Sequence, residues 1–138
     1  MLQQNFFGLY YKLYRPLLNQ VNAKLTQYGL FSSQWQLMKL LMQEGAMTPA
    51  EIAQRQQVEK PSITKILQRL GEMGYVESTP GQDKREKWIR LTSSGEAVCR
   101  DVMEQLASLY EDLLQGSSKE EVEIAISVLA RAHQNLTS

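Results

Sequence analysis

The residues best suited to molecular recognition lie on one face of a helical pattern in the middle of the chain. They carry hydroxyl, amide or cationic groups, with no acid among them: Ser62, Thr64, Lys65, Gln68 and Arg69. Serine, threonine and glutamine can donate and accept hydrogen bonds at base edges, whereas lysine and arginine bind guanine or phosphate oxygens. The pattern favours a helix that reads nucleic acid, and an ordinary solvated helix surface is the alternative.

A second polar group lies in a charged segment further along the chain: Asp83, Lys84 and Arg85. Residues 75–77 and 88–91 predict two short strands around it, and turn formers fill residues 78–82. A strand, a basic tip and a second strand directly after a recognition-type helix make a wing. The order of the parts therefore predicts a winged helix-turn-helix.

Two short helices complete this part of the chain. Thr48 can cap the first helix, Pro49 suits its first turn, and Glu51 can return a bond to the cap. The second helix is predicted over residues 61–73, and Gly74 ends it. Its apolar side chains share the face opposite the polar one: Ile63, Ile66, Leu67, Leu70 and Met73.

Longer helices are predicted before this part. The first covers residues 5–29 and has a strongly aromatic face, and Pro16 is expected to kink or break it because proline removes a backbone donor. The next helix begins at Ser32 or Ser33, where Ser33 and Gln36 have the spacing of a capping box.

Two more helices are predicted after Thr92. The first has Ser93 and Glu96 at capping-box spacing, and the last begins with either Ser117 and Glu120 or Ser118 and Glu121. These helices carry more apolar surface than a winged-helix core can bury. A second copy of the chain is therefore expected to bury their apolar faces.

The predicted fold class is mainly α, a winged helix-turn-helix with long N- and C-terminal dimerisation helices and a small two-stranded wing. We expect a single domain over residues 1–138. Residues 30–92 form its DNA-binding part, and residues 1–29 and 93–138 form the dimerisation helices.

Composition narrows the function classes. The net charge is zero, but the segment from Arg55 to Arg90 holds eight basic and five acidic residues, a local charge of +3. No catalytic set, glycine-rich phosphate loop or metal-ligand spacing is present, so the sequence predicts no enzyme, no cofactor and no metal. No apolar run approaches a membrane span and the start lacks a signal-peptide pattern, which predicts a cytoplasmic protein without a membrane partner.

The chain resembles the MarR family of bacterial transcriptional regulators over essentially its whole length. TPAEIAQ, from Thr48, is similar to the first helix of the family's helix-turn-helix, and PSITKILQRLGEMGYVE, from Pro61, is similar to its recognition helix and following strand. Asp83-x-Arg85, followed by a strand that ends in Leu91-Thr92, resembles the family's wing signature.

The resemblance implies specific roles for these residues. Ser62, Thr64, Lys65 and Gln68 would face the major groove, Arg85 would reach toward the minor groove, and Asp83 would hold the Arg85 guanidinium in place. Two departures stand out, because the family usually has an arginine where this chain has Ser78 and a small capping residue where it has Glu59.

The resemblance also implies partners. These are double-stranded DNA with a pseudo-palindromic operator, a second copy of the chain in a homodimer, and a small aromatic or anionic effector that releases the DNA. Repression is the family's default. The aromatic face of the first helix predicts part of an effector pocket, formed by Tyr10, Tyr11, Tyr14 and Trp35.

Two alternatives stay open at the level of sequence. One is a winged-helix protein-interaction module without DNA function. The other is a thiol-based redox sensor that uses Cys99, the single cysteine, although a structural cysteine is the simpler interpretation.

Overall fold

The computed structural model describes residues 1–83 and 85–138. It divides into two compact units, Met1–Leu106 and Ala107–Ser138. The described elements, in chain order, are α1 (Leu2–Thr26), α2 (Ser32–Glu44), α3 (Pro49–Gln56), α4 (Lys60–Glu72), β1 (Val76–Pro80), β2 (Lys87–Leu91), α5 (Ser93–Leu113) and α6 (Lys119–Thr137). This mainly helical architecture with one two-stranded sheet confirms the predicted fold class.

The helix-turn-helix forms largely as the sequence predicts. The Thr48 hydroxyl accepts the Glu51 backbone N–H at 3.2 Å and caps α3, and Pro49 occupies the first turn. In α4, Ile63 and Leu70 are fully buried, whereas the polar face is exposed. The apolar stripe of α4 therefore fixes which side of this helix meets solvent.

The wing is longer than the sequence suggests. β1 pairs antiparallel with β2 from Val76↔Leu91 to Pro80↔Lys87, so Ser78, predicted to lie in a turn, belongs to the strand. Cross-strand partners outweigh local turn propensity here, and proline is tolerated because it stands at the end of the strand.

Met47 extends this small sheet on its other side. Its N–H donates to the Ile89 carbonyl at 3.0 Å and its carbonyl accepts the Ile89 N–H at 2.8 Å. The base of the wing is thereby attached to the segment that leads into α3.

The core of Met1–Leu106 takes residues from five helices. Its fully buried side chains are Leu25, Leu37, Met38, Ile52, Ile63, Leu70, Cys99 and Val102. Among these elements α4 packs against α3, α2 and β1, so hydrophobic burial sets the position of the recognition-type helix.

Two predictions for α1 are modified by the structure. The helix is continuous through Pro16, because one missing N–H donor does not outweigh the bonds on either side. It ends at Thr26, before Gly29. There the Leu30 N–H donates to the Leu25 carbonyl and Gly29 adopts a φ of +73°, the usual left-handed stop.

The predicted caps of α2 and α5 are displaced. α2 begins after Phe31, whose backbone N–H donates to the Gln34 side chain at 2.9 Å, so Ser33 is not the cap. For α5 the cap is Thr92 and not Ser93. The Thr92 hydroxyl accepts the Gly95 N–H at 3.0 Å and donates to the Gly74 carbonyl at 2.6 Å. The tertiary partner at Gly74 favours Thr92 over its neighbour.

The unit Ala107–Ser138 holds the end of α5 and all of α6. Of the two predicted starts for α6, the one with Ser118 and Glu121 is confirmed as a capping box. The hydrogen bond from the Ser118 backbone holds the pKa of Glu121 below its usual value. α6 has no buried residue, and most of its large apolar side chains are solvent-exposed in the single chain. Across the described parts of the chain, no helix combines the length and apolar character of a membrane span.

Candidate nucleic-acid interface

The polar face of α4 is built as the sequence predicts. Its five members are all exposed: Ser62, Thr64, Lys65, Gln68 and Arg69. The Thr64 hydroxyl donates to the Lys60 carbonyl at 3.1 Å. The Arg69 guanidinium lies 3.4 Å from the Glu72 carboxylate. Both interactions are exposed and weak, so water or a ligand can replace them.

A cleft of about 820 Å³ separates α4 from the wing. Thr64 and Gln68 line it from α4, Arg85 and Lys87 line it from the wing, and Thr48 lines it from the start of α3. The structure thus brings two of the predicted helix residues, Thr64 and Gln68, and the predicted wing arginine to one concave surface.

The other predicted residues of α4 lie outside this cleft. Ser62 lines a second groove, which α4 forms with α2 and the end of α3. Lys65 and Arg69 line neither of these two concavities. The polar face of α4 therefore forms a ridge between two grooves. A helix that protrudes in this way can enter the major groove of DNA.

Asp83 acts on the wing differently from its predicted role. Its carboxylate accepts the backbone N–H of Arg85 at 3.2 Å, and its carbonyl accepts the Glu86 N–H at 2.9 Å. The five ion pairs among the described residues do not include Asp83. An aspartate readily bonds the backbone two residues on, and Asp83 here holds the backbone N–H of Arg85 while that residue lines the cleft. The predicted site residue Lys84 lies outside the described residues.

The charges around the cleft are mostly positive. Lys60, Arg85 and Lys87 line it together with two acidic residues, Glu77 and Glu86. The Glu77 carboxylate is already paired with Arg90 on β2 at 2.7 Å. A modest positive potential is left in the cleft, which suits a phosphate backbone.

Sequence reasoning placed Lys60 and Lys87 in the basic segment but not in the site. Both line the cleft, Lys60 from the first turn of α4 and Lys87 from the first residue of β2. Their sequence positions could have indicated this, because Lys60 begins the helix that carries the predicted contacts and Lys87 lies two residues after Arg85.

The four residues of the predicted aromatic pocket differ in their exposure. Tyr10, Tyr11 and Tyr14 are exposed on α1, where the Tyr10 ring lies 5.4 Å from Tyr11 and 6.2 Å from Tyr14 between centroids. Trp35 is 3% exposed and belongs to the core. The sequence alone could not assign this burial to Trp35.

The Cys99 thiol is buried in α5. Desolvation raises its pKa to about 11, the nearby Glu96 carboxylate adds to the rise, and Arg100 opposes it. A thiol in this environment is protonated at neutral pH and is a poor nucleophile. The geometry therefore favours the structural interpretation of Cys99 over the redox sensor.

We expect Cys99 to react slowly in the folded protein. The ordinary pKa of 9.0 rises to about 11 on folding, so iodoacetamide should label the native thiol at least ~100-fold more slowly than the urea-unfolded chain at pH 8. The stability contributed by the protonated thiol is complete below pH 9.0 and is lost as the pH rises toward 11. A Cys99→Ser variant should lack this alkaline loss. Native labelling as fast as in urea would instead support the redox sensor.

These features together define a winged helix-turn-helix protein. A family model described as the MarR family matches residues 30–87. The uncharacterized HTH-type transcriptional regulator YwoH of Bacillus subtilis is 35% identical over 109 residues, which cover 79% of this chain and 80% of that protein. The chain belongs to the MarR family and is a transcriptional regulator of that family.

Other relatives agree with this assignment. The HTH-type transcriptional regulator FarR of Neisseria gonorrhoeae is 29% identical and covers 85% of this chain and 76% of its own length. Staphylococcus aureus MarR, solved with salicylate and kanamycin, superposes with a TM-score of 0.90 at 27% identity over 99% of this chain and 93% of that one. A mutant MarR from E. coli, solved in complex with operator DNA, shares the fold, with a TM-score of 0.79 at 22% identity and 93% coverage of both chains.

Proposed function

We propose that this regulator is a repressor that binds a pseudo-palindromic operator as a homodimer. The observation that carries the proposal is the cleft that Thr64, Gln68 and Arg85 line together. A helix fits the major groove while a wing reaches the adjacent minor groove, so one surface of this layout can contact both. The E. coli fold neighbour was solved with operator DNA, which supports the same use of this fold.

The proposed DNA contacts are made by the exposed side chains of α4 and by the wing. Ser62, Thr64, Lys65 and Gln68 would meet base edges or nearby phosphates in the major groove, and Arg85 would enter the minor groove. Arg69 and Lys84 complete the set as cations for phosphate. An arginine on an ordered loop loses little freedom on binding, which suits Arg85 to a narrow minor groove.

The dimer frame is proposed to consist of residues 1–29 and 93–138. α1 exposes Phe6, Phe7 and Leu13, and α6 exposes Ile126 and Leu129. Apolar helix faces of this kind are normally buried against a partner, and a two-fold axis would place two copies of α4 about one helical turn of DNA apart.

A small aromatic or anionic effector is part of the proposal. Salicylate, which is both aromatic and anionic, is present in the Staphylococcus aureus neighbour. The exposed Tyr10, Tyr11 and Tyr14 are the side chains of the predicted pocket that a ligand or a second subunit could still reach. Addition of salicylate to the preformed protein–DNA complex tests this part, because release of the DNA is expected.

The central experiment is selection of operators from random DNA, followed by titration at several salt concentrations. A palindrome should be enriched, and Arg85→Ala should weaken binding about tenfold and reduce the salt slope by roughly one unit. Arg100→Ala is the matched control, because it removes one exposed cation from α5, outside the cleft. Unaltered binding by Arg85→Ala would refute the wing assignment.

One observation favours the protein-interaction module as a second candidate. Glu59 is exposed at the N-cap of α4 and makes no side-chain cap bond, so a free carboxylate stands on the proposed DNA side. Ser78 also stands where the family usually has arginine. Selection at low salt that enriches no palindrome would support this candidate over the repressor.

A further inference from the structure

We infer that Gly81, Glu86 and Trp88 form a wing clamp, a close packing arrangement that positions Arg85. A Cβ atom added at Gly81 would lie 2.9 Å from the Trp88 Nε1 and 2.9 Å from the Glu86 Cβ. It would also lie 3.0 Å from the Glu86 Oε2. The backbone of Gly81 thus lies directly against both side chains, with no room for a methyl group.

Glycine is required at residue 81 by space and not by backbone conformation. Gly81 is not among the residues with a positive φ, unlike Gly29 and Gly74. The Glu86 Cβ cannot move cheaply, because it is attached to the backbone, and the Trp88 ring would have to turn away as a whole. An alanine at this residue would therefore force the loop to shift.

Hydrogen bonds connect the clamp to Arg85. The Gly81 N–H donates to the Glu86 carbonyl at 2.9 Å, and the Glu86 N–H donates to the Asp83 carbonyl at 2.9 Å. Arg85 lies between these anchors, and its own N–H donates to the Asp83 carboxylate at 3.2 Å. A displacement at Gly81 is thus transmitted through Glu86 to the residue that precedes it.

The strand register places the clamp at the end of the wing. Pro80↔Lys87 is the last pair between β1 and β2, and Thr79 stands opposite Trp88. The half-buried Trp88 ring reaches from the strand over the first residue of the loop. The backbone N–H groups of Gly81, Arg85 and Glu86 are thus hydrogen-bonded before any ligand binds, which reduces the conformational entropy that Arg85 would lose on contact with DNA.

The expected effect of the wing clamp on operator affinity rests on the proposed function. The packing of Gly81 against Glu86 and Trp88 does not depend on it. Gly81→Ala should weaken operator binding about tenfold, as Arg85→Ala does. The decisive measurement is the double variant. If Gly81 acts through Arg85, the double variant should bind about as weakly as either single variant. Independent effects would multiply to roughly a hundredfold and would overturn the positioning role.

Gln82→Ala is the matched control, because it shortens an exposed side chain in the same loop. It should leave affinity and salt slope unchanged. Trp88→Phe provides a second route to the same question, since it removes the Nε1 that crowds Gly81. In that background Gly81→Ala should cost less affinity than in the wild type, and an equal cost would contradict the clamp.

A measurement without DNA separates the clamp from the proposed function. In amide hydrogen exchange, the Gly81 and Glu86 N–H groups should be protected in the wild type and in Gln82→Ala. Both should exchange at least ~10-fold faster in Gly81→Ala, while amides in the core keep their protection. Unchanged exchange at residues 81 and 86 overturns the clamp even if DNA binds. Faster exchange in a protein that binds no DNA supports the clamp and refutes the repressor.

Discussion

A glutamate in place of Leu129 should dissociate the proposed dimer and lower operator affinity at least ~100-fold. Leu129 is 49% exposed in the single chain and lies one turn from Ile126, which is 59% exposed. If α6 is a dimer helix, a carboxylate at Leu129 would be buried at the interface without a partner. The two half-sites would then be bound independently, and the high effective concentration that a dimer supplies would be lost.

The measurement pairs molar mass in solution with operator titration. The wild type should have twice the 15.8 kDa mass of one chain, and Leu129→Glu should approach the mass of a single chain. Ser127→Glu is the matched control, because it adds the same charge to the same helix at an exposed residue on another face. A Leu129→Glu protein that remains dimeric with full affinity would exclude this face of α6 from the interface.

Gly95→Ala should lower the free energy of unfolding by at least ~1 kcal/mol, and by about 3 kcal/mol if the backbone cannot adjust. An alanine Cβ at this residue would lie 2.1 Å from the Tyr75 carbonyl oxygen and 3.0 Å from its carbon. The obstacle is backbone, and the Tyr75 carbonyl also accepts the Thr92 N–H at 3.0 Å. Neither side can yield without breaking the join between the end of α4 and the start of α5.

Chemical denaturation followed by circular dichroism tests this expectation. Gly71→Ala is the control, because it makes the same substitution within α4 where nothing lies within 4 Å of the added Cβ. It should be neutral or stabilise the protein by up to ~1 kcal/mol, since alanine is the better helix former. Equal unfolding free energies for the two variants would contradict the close approach at Gly95.

Local patterns predicted most of the elements that carry the site. The cap at Thr48, the apolar stripe with Ile63 and Leu70, and the stop at Gly74 each depend on residues close in sequence. The polar face of α4 follows from the same periodicity, because a helix that buries one stripe must expose the opposite one. These features were therefore open to prediction without tertiary information.

Other features needed partners that are distant in sequence. Thr92 caps α5 in place of Ser93 because it also bonds Gly74, and Ser78 joins a strand because Ile89 stands opposite it. Trp35 is a core residue because the folded chain leaves only 3% of it exposed. Asp83 took the backbone of Arg85 in place of its guanidinium because the loop brings that N–H within reach. Secondary-structure propensities describe single residues and their close neighbours, so they predict none of these contacts.

The sequence by itself determined the order of the elements, the polar face of α4 and the family to which the chain belongs. Hydrogen bonding within a few residues and the 3.6-residue period contain that information. The tertiary structure alone decided that Thr64, Gln68 and Arg85 share one cleft and that Gly81 lies against Trp88. Those distances arise when hydrophobic burial brings α4 and the wing together, and no local pattern encodes them.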